Sequence, residues 1–315
     1  MDFSVVIPTY NGAERLPDVI KKLQHQQGTE HLSWEIIVVD NNSSDQTAQV
    51  IQQAQVDWPY SLPLKSVFEA RQGLAFARQC GVEAAQGEFV GFLDDDNWPN
   101  ENWVLEAYKF GQDRPQAGAY GGKIHANYAI NPPAGFERIE GFLAIRERGD
   151  QANLYQPEVL SLPPGASLVI RRQAWLDQVP TPPRLTRQLP DGSMIPGDDW
   201  EPLLYLHRAG WQIWYNPAMQ IEHQIPPRRL ERDYLLSLIH RSCLSFCPLK
   251  LMAAQPAKRP VILARTLLGN AYNASRYYLN NRTQLKEDTV AACEMQIYLS
   301  RIGSALYALK HGFYL

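Results

Sequence analysis

Three carboxylates in a row, Asp94-Asp95-Asp96, close a short apolar run that spans Glu88 to Leu93. Adjacent carboxylates repel, and each prefers water or a cation. Hard divalent ions such as Mg2+ and Mn2+ take oxygen ligands, and Mg2+ commonly combines one or two carboxylates with substrate phosphates. The triplet therefore points to a divalent ion that in turn holds a diphosphate. An acidic turn is the plain alternative, because Asp and Asn favour turns. A second acidic pair, Asp198-Asp199, follows Gly197 and precedes a leucine-rich stretch. One of these would serve as a helix N-cap. Two exceed what a cap requires, and the spare one suits a general base in a cleft.

The elements that must carry these groups read as a βα alternation. Ser4–Ile7 is an apolar run stopped by Pro8, and Thr9-Tyr10-Asn11-Gly12 has turn chemistry. Leu16, Val19, Ile20 and Leu23 fall at helical spacing. Trp34–Val39 is a second buried strand ending at Asp40, followed by a polar loop and a helix over about 47–54. Leu64–Phe68 is a third strand, Leu74–Ala85 a helix, and Glu88–Leu93 the next strand. Uniformly apolar strands with short connections predict a doubly wound, mainly parallel α/β sheet flanked by helices. Ligands of such sheets sit beyond the carboxyl ends of the strands. Pro8-Thr9, Asp40 and Asp94–Asp96 all lie at such ends, so the fold brings them together. Further on, Trp98-Pro99 is expected to open a helix near Glu101–Phe110. Ala119–Ile124, Ala166–Ile170 and Trp211–Tyr215 read as strands, and Asn131–Pro163 is irregular. Pro180–Pro196 is a long loop, and the chain beyond Pro226 is helical.

The 315 residues are 45% hydrophobic and 20% charged, enough for one large domain or two ordinary ones. A net charge of −3 does not suggest a nucleic-acid partner. The charge is unevenly spread. Residues 226–315 carry thirteen Lys/Arg against five Asp/Glu, and residues 1–225 carry seventeen against twenty-eight. The basic C-terminal segment could meet an anionic surface, or present a solvated helical face. Cys80, Cys243, Cys247 and Cys293 show no paired spacing, which suits reduced thiols in a cytosolic protein. The N-terminus lacks signal-peptide character, and no run of 18 apolar residues occurs. There is no GxGxxG and no GxxxxGKS, which argues against a dinucleotide fingerprint and a P-loop.

An ordered set of segments resembles the family 2 glycosyltransferases, which have the GT-A fold. The set is Ser4 to Gly12, Ile36 to Asp45, Gly73 to Arg78 with Gly87-Glu88, Phe92 to Asp96, Gly197-Asp198-Asp199, Gly210-Trp211 and His223. The resemblance covers about residues 3–225. It implies a GT-A catalytic domain over 1–225, with 1–125 binding the nucleotide sugar and 126–225 the acceptor. A helical basic segment follows over 226–315. It implies that Thr9 and Asp40 approach the nucleotide base, with Pro8 and Tyr10 beside them, and that Arg71 either meets the nucleotide or is a surface arginine. Asp94 and Asp95 would face the ribose. Asp96 would hold Mn2+ or Mg2+, with Asp94 and His223 as further ligands; a structural histidine is the alternative for His223. Asp199 is the implied base and Asp198 the runner-up, since the family usually has Glu-Asp where this chain has Asp198-Asp199. Trp200, beside the base, is the best candidate for a sugar-stacking platform among Trp98, Trp200 and Trp211, although core packing is the commoner use.

The resulting expectation is a metal-dependent, inverting transferase that moves one sugar from a UDP- or GDP-type donor to a hydroxyl of a sugar or lipid-linked acceptor, in cell-surface polysaccharide or glycolipid synthesis. The Gln-x-x-Arg-Trp motif and flanking spans of processive synthases are not seen. A cytoplasmic protein, peripheral at the inner membrane face or paired through its C-terminal helices, fits the charge split. A sugar-phosphate nucleotidyltransferase is one rival, but the loop after the first strand is not the Gly-rich basic loop of that class. A non-catalytic nucleotide-sugar-binding protein is another, and the retained Asp198-Asp199 argues against it.

Overall fold

The computed structural model describes residues 1–58, 62–181, 185, 197 and 199–313. The first half follows the expected alternation. Its elements are β1 (Phe3–Thr9), α1 (Leu16–Gln24), β2 (Trp34–Asp40), α2 (Thr47–Val56), β3 (Leu64–Phe68), α3 (Leu74–Ala84) and β4 (Phe89–Phe92). All seven residues of β1 and of β2 are buried, which is why the two strands read as unbroken apolar runs. Edge strand β3 alternates instead. The four residues that define the apolar stripe of α1, Leu16, Val19, Ile20 and Leu23, are the ones it buries.

The second half departs from expectation in one place that matters. Asn97–Pro99 is not the start of a helix but a short strand, β5, and helix α4 begins later at Trp103–Asp113. There follow β6 (Ala117–Tyr128), β7 (Asn153–Leu154), β8 (Leu168–Arg171), α5 (Arg172–Gln178), α6 (Trp200–Arg208) and β9 (Gln212–Ile225). The irregular stretch before β8 contains three short 3-10 turns. Strand β9 runs ten residues past the expected Tyr215, because it pairs in parallel with β6 along almost its whole length.

The nine strands among the described residues form one mixed sheet in the order β3-β2-β1-β4-β8-β6-β9-β5, with β7 also on β9. Strands β1 to β4 are parallel to one another. Strand β8 is antiparallel to both β4 and β6, and β5 is antiparallel to β9. Successive side chains of β1 and β2 point to opposite faces. Val5, Ile7, Ile36 and Val38 pack with α1, α2 and α4, whereas Val6, Ile37 and Val39 pack with α3, α5 and α6.

Helices α7 (Arg232–Leu244), α8 (Phe246–Ala253), α9 (Arg259–Asn281) and α10 (Thr289–Lys310) complete the chain. They are not a separate appendage. Leu249 and Met252 of α8 join the core that covers α6, and α7 and α10 close a cluster over Phe136, Ile139 and Leu143. Asp288 caps α10 by accepting from the Ala291 amide at 3.0 Å. Helix α9 leaves Val261, Leu268, Tyr272 and Leu279 more than half exposed. No helix among the described residues is long and apolar enough to cross a membrane.

One side chain ties the sheet to α4. Trp103 is fully buried, meets Phe3 edge-on at 6.0 Å, and donates from its indole nitrogen to Ser167 Oγ at 2.9 Å. Trp103→Ala removes that contact and orphans the Ser167 hydroxyl. It is expected to cost about 3–5 kcal/mol, read as a lower midpoint in urea unfolding.

Candidate functional site

The carboxyl ends of β1, β2 and β4 bring Thr9, Asp40 and the Asp94–Asp96 triplet to one edge of the sheet. Thr9 stands opposite Asp40 in the β1–β2 register, and the Asn41 amide donates to the Thr9 carbonyl. Asp40 Oδ1 accepts from the Ser43 amide at 3.0 Å, which folds the loop back. Asn41 does more than the sequence suggested. Its side chain donates to the Glu69 and Arg71 carbonyls and accepts from the Gly73 amide, fastening the loop after β3. Arg71 itself forks onto Glu69, lies over the Phe76 ring at 4.7 Å, and keeps over half its side chain exposed. Tyr10 is likewise half exposed, and Pro8 is buried within β1.

The three aspartates have three different settings. Asp95 accepts from Thr9 Oγ1 at 2.6 Å and from Arg15 through two nitrogens at 2.9 Å, so both its oxygens are used to hold the β1 loop. Gly12 makes that closure feasible: a Cβ there would stand 2.1 Å from Thr9 Oγ1 and 2.5 Å from Asp95 Oδ2. Asp94 keeps a third of its side chain accessible and lies 3.3 Å from Arg78. The cleft still removes most of its hydration. Burial pushes its pKa up to about 6, with Arg78 opposing and Asp96 and Asp199 reinforcing. Asp96 is buried and moves the other way. Burial alone would raise its carboxyl, but His223, Arg229 and Arg15 outweigh that and bring it below the ordinary carboxylate value. Asn97 braces the turn by donating to Asp96 Oδ1 and accepting from the Asp94 amide.

Strand β5 explains how His223 reaches the triplet. Asn97 is paired with His223 across the antiparallel register, and the Gln224 amide donates to the Asp96 carbonyl. His223 Nε2 therefore lies 3.5 Å from Asp96 Oδ2. Its Nδ1 is 2.8 Å from the Leu143 carbonyl, an obligate acceptor, so Nδ1 carries the proton. Nε2 is left to accept from Arg229 at 2.6 Å, and the same guanidinium donates to Asp96 Oδ2 at 2.6 Å. A cation already sits against an imidazole lone pair and a carboxylate oxygen. This is the donor set that a divalent ion would use, so the residues fit such an ion. No cluster of three His, Cys, Asp or Glu occurs among the described residues. The remaining ligands would have to come from phosphate and water.

Arg78 links the two acidic sites. It is 2% exposed in its side chain, yet it pairs with Asp94 and makes a close ion pair with Asp199. The second oxygen of Asp199 accepts from the Gly165 amide at 2.8 Å. Gly165 cannot be replaced without moving this pair, since a Cβ would fall 2.2 Å from Arg78 and 2.4 Å from Asp199. Asp199 thus occupies the N-cap position of α6 without capping it, and its carboxylate is turned into the cleft instead. Trp200 donates to the Pro163 carbonyl at 3.1 Å, beside Asp199 on the wall of a cavity. Asp198 lies outside the described residues.

Sequence reasoning missed Arg78, Arg229, Arg15, Asn97 and Asn41. Arg78 left a signal: it shares the buried stripe of α3 with Ala75 and Val82, where a charge needs a partner. Arg229 left none, because its partners are set by the β5–β9 register.

Comparison with known proteins follows the same lines. The sequence model described as "Glycosyl transferase family 2" matches residues 4–175. The chain belongs to glycosyl transferase family 2. An uncharacterised glycosyltransferase of Nostoc sp. is 40% identical over 99 residues, 31% of this chain and 29% of that protein. The putative teichuronic acid biosynthesis glycosyltransferase TuaG of Bacillus subtilis is 35% identical over 100 residues, 31% of this chain and 37% of that one. Poly(ribitol-phosphate) beta-N-acetylglucosaminyltransferase TarS of Staphylococcus aureus is 33% identical over 112 residues, 35% of this chain and 19% of that one. The matches thus span well under half of these curated relatives. Among solved structures, the mannosyltransferase PcManGT of Pyrobaculum calidifontis, in complex with GDP-Man and Mn2+, superposes with a TM-score of 0.60 at 19% identity, over 97% of this chain and 86% of that one. S. aureus TarS 1-349 with UDP-GlcNAc superposes at 0.51 and 15%, over 99% and 92%. At such identities the likeness is one of fold, and the fold is GT-A.

Arg78 neutralises two carboxylates at once. A carboxyl whose folded pKa exceeds its unfolded value binds more protons when folded, so its contribution to stability falls as pH rises from about 4 to about 6. Arg78→Met removes the opposing cation and widens that interval. It is expected to destabilise by about 3 kcal/mol at pH 8 and by clearly less at pH 5, measured by thermal melting at both values.

Proposed function

We propose that this chain transfers one sugar, with inversion, from a nucleoside-diphosphate sugar to a hydroxyl of an acceptor in cell-surface polysaccharide or glycolipid synthesis, using Mn2+ or Mg2+. The observation that carries the reading is the run of ion pairs in which buried Arg78 joins Asp94 to Asp199, with Asp96 of the same triplet paired to His223. The names of relatives support it: one is named for teichuronic acid biosynthesis and one for N-acetylglucosaminyl transfer to poly(ribitol-phosphate), and two fold neighbours were solved with GDP-Man and UDP-GlcNAc.

In this reading the nucleotide lies against Thr9, Asp40 and the loop that Asn41 fastens, where Asp40 can accept from a base N–H. Pro8, Tyr10 and Arg71 border that space, and Asp94 and Asp95 lie toward the ribose. Asp96 and His223 hold the ion, with Asp94 close by. When bound, the ion supplies positive charge to the diphosphate as it leaves. Asp199 lies across Arg78 from the Asp94 side and takes the proton of the attacking hydroxyl. The new bond joins that oxygen to the anomeric carbon, and the bond from the anomeric carbon to the diphosphate breaks. Arg78 aims Asp199 through their ion pair. Residues 1–225 form the catalytic domain, in donor and acceptor halves at about 125, and 226–315 the helical segment. The exposed apolar face of α9, on a basic segment, suits peripheral contact with an anionic membrane surface better than solvent; pairing with a second copy is the rival.

A panel of UDP- and GDP-sugars with Mn2+ is expected to give nucleoside-diphosphate release with one donor class. Asp199→Asn should lower turnover by about a thousandfold and leave donor affinity within a few-fold. Tight nucleotide binding without turnover of any donor would instead favour a binding protein.

A divalent ion at Asp96 and His223 competes with Arg229 for the same two acceptor atoms. Arg229→Gln is therefore expected to tighten Mn2+ binding in the absence of donor by on the order of 1 kcal/mol, as followed by the electron paramagnetic resonance signal of free Mn2+.

A further inference from the structure

A cavity of about 480 Å³ opens beside Asp199 and Trp200, and it is walled largely by apolar side chains such as Phe142, Leu160, Phe246 and Leu249. Its charged lining is unbalanced. Asp199 is the only carboxylate among the described lining residues, and both its oxygens are engaged by Arg78 and the Gly165 amide. Against it stand three arginines. Arg138 is nearly half exposed and paired with Glu294. Arg146 and Arg301 are different. The Nε atom of each is buried without a hydrogen-bond partner, and neither forms an ion pair among the described residues. Arg301 lies over the Phe246 ring at 4.2 Å, and the Lys250 ammonium lies over the same ring at 4.5 Å, so a further cation adds to the charge. Arg301 also lies against the Cys243 thiol, a weak acceptor, and a guanidinium whose Nε is buried unpartnered is completed best by an anion.

We infer that this cavity is the acceptor site and that the acceptor bears a phosphoryl group, seated on Arg146 and Arg301, with its hydroxyl delivered to Asp199. The inference rests on the glycosyl-transfer reading above and names the substrate class that reading left open. Two guanidinium groups contributed by separate elements, the segment before β7 and helix α10, match an anion with several oxygens and more than one negative charge. A single carboxylate brings only one negative charge to two cations. The apolar walls accommodate the carbon skeleton next to the phosphate. The C-terminal helices are then part of the active site, because Arg301 and Phe246 come from them.

The test is calorimetric titration of the full chain with geranyl diphosphate, glycerol 3-phosphate and geraniol, with and without excess nucleoside diphosphate. Wild type is expected to bind a phosphate probe but not geraniol, and nucleoside diphosphate should not displace the probe. Arg146→Gln and Arg301→Gln should each weaken that binding about tenfold, with nucleotide binding unchanged. Arg146→Lys and Arg301→Lys, which retain charge without the fork, should lie between and control for folding. Preference for geranyl diphosphate supports a lipid-carrier headgroup, and equal binding of glycerol 3-phosphate supports a soluble phosphate ester. Geraniol binding as well as the diphosphate, displacement by nucleoside diphosphate, binding of no probe, or affinity unchanged in the Gln variants would each overturn the inference. Donor turnover combined with arginine-independent probe binding would remove this inference alone. Arginine-dependent binding without turnover of any donor would remove the transfer reading and leave an anion site.

Discussion

The ion pairs of Arg78 constrain everything else in the cleft. A guanidinium that is almost wholly buried cannot stand without carboxylates, and Asp94 and Asp199 face it from opposite sides of the cleft. Neither carboxylate could approach the other without it, since like charges at such separation drive protonation. The price is paid in backbone. Gly165 must lack a side chain, and Asp199 must give up the capping role that its position in α6 would otherwise allow. Arg78 lies on α3, Asp94 follows β4, and Asp199 precedes α6. The pair thus fixes one half of the sheet against the other.

A second cation, Arg229, works at the opposite end of the triplet. There the geometry comes from strand pairing: three residues of β5 lock onto β9, which sets His223 beside Asp96 with its proton committed to the Leu143 carbonyl. The imidazole is thus fixed in its orientation beside Asp96. Asp95, between the two, is consumed by Arg15 and Thr9 and keeps the β1 loop closed. Three consecutive residues of one type therefore serve three mechanical ends, because successive residues at a strand end point in different directions.

The helical C-terminus shares this logic. Its charge suggested a separate surface-seeking segment, yet α7, α8 and α10 pack on the preceding part of the chain and furnish one wall of the cavity at Asp199. Helix α9 leaves a long apolar face uncovered. An exposed apolar face and a wall of the cavity at Asp199 thus reside in neighbouring helices of a single packed unit.

The sequence by itself determined the first half of the molecule. Buried parallel strands are uniformly apolar and amphipathic helices have a 3.6-residue period, so β1 to β4, α1 and α3 were legible from pattern alone. The rule that ligands gather at strand carboxyl ends then placed Thr9, Asp40 and the triplet together. Tertiary structure alone decided the rest. Strand β5 is only three residues long and carries Trp98-Pro99, so no local pattern marks it; pairing with β9 creates it. That register chose Asp96 as the neighbour of His223. The roles of Arg78 and Arg229 came from partners 121 and 133 residues away in the chain, and Coulomb attraction over a few ångströms has no footprint in sequence spacing.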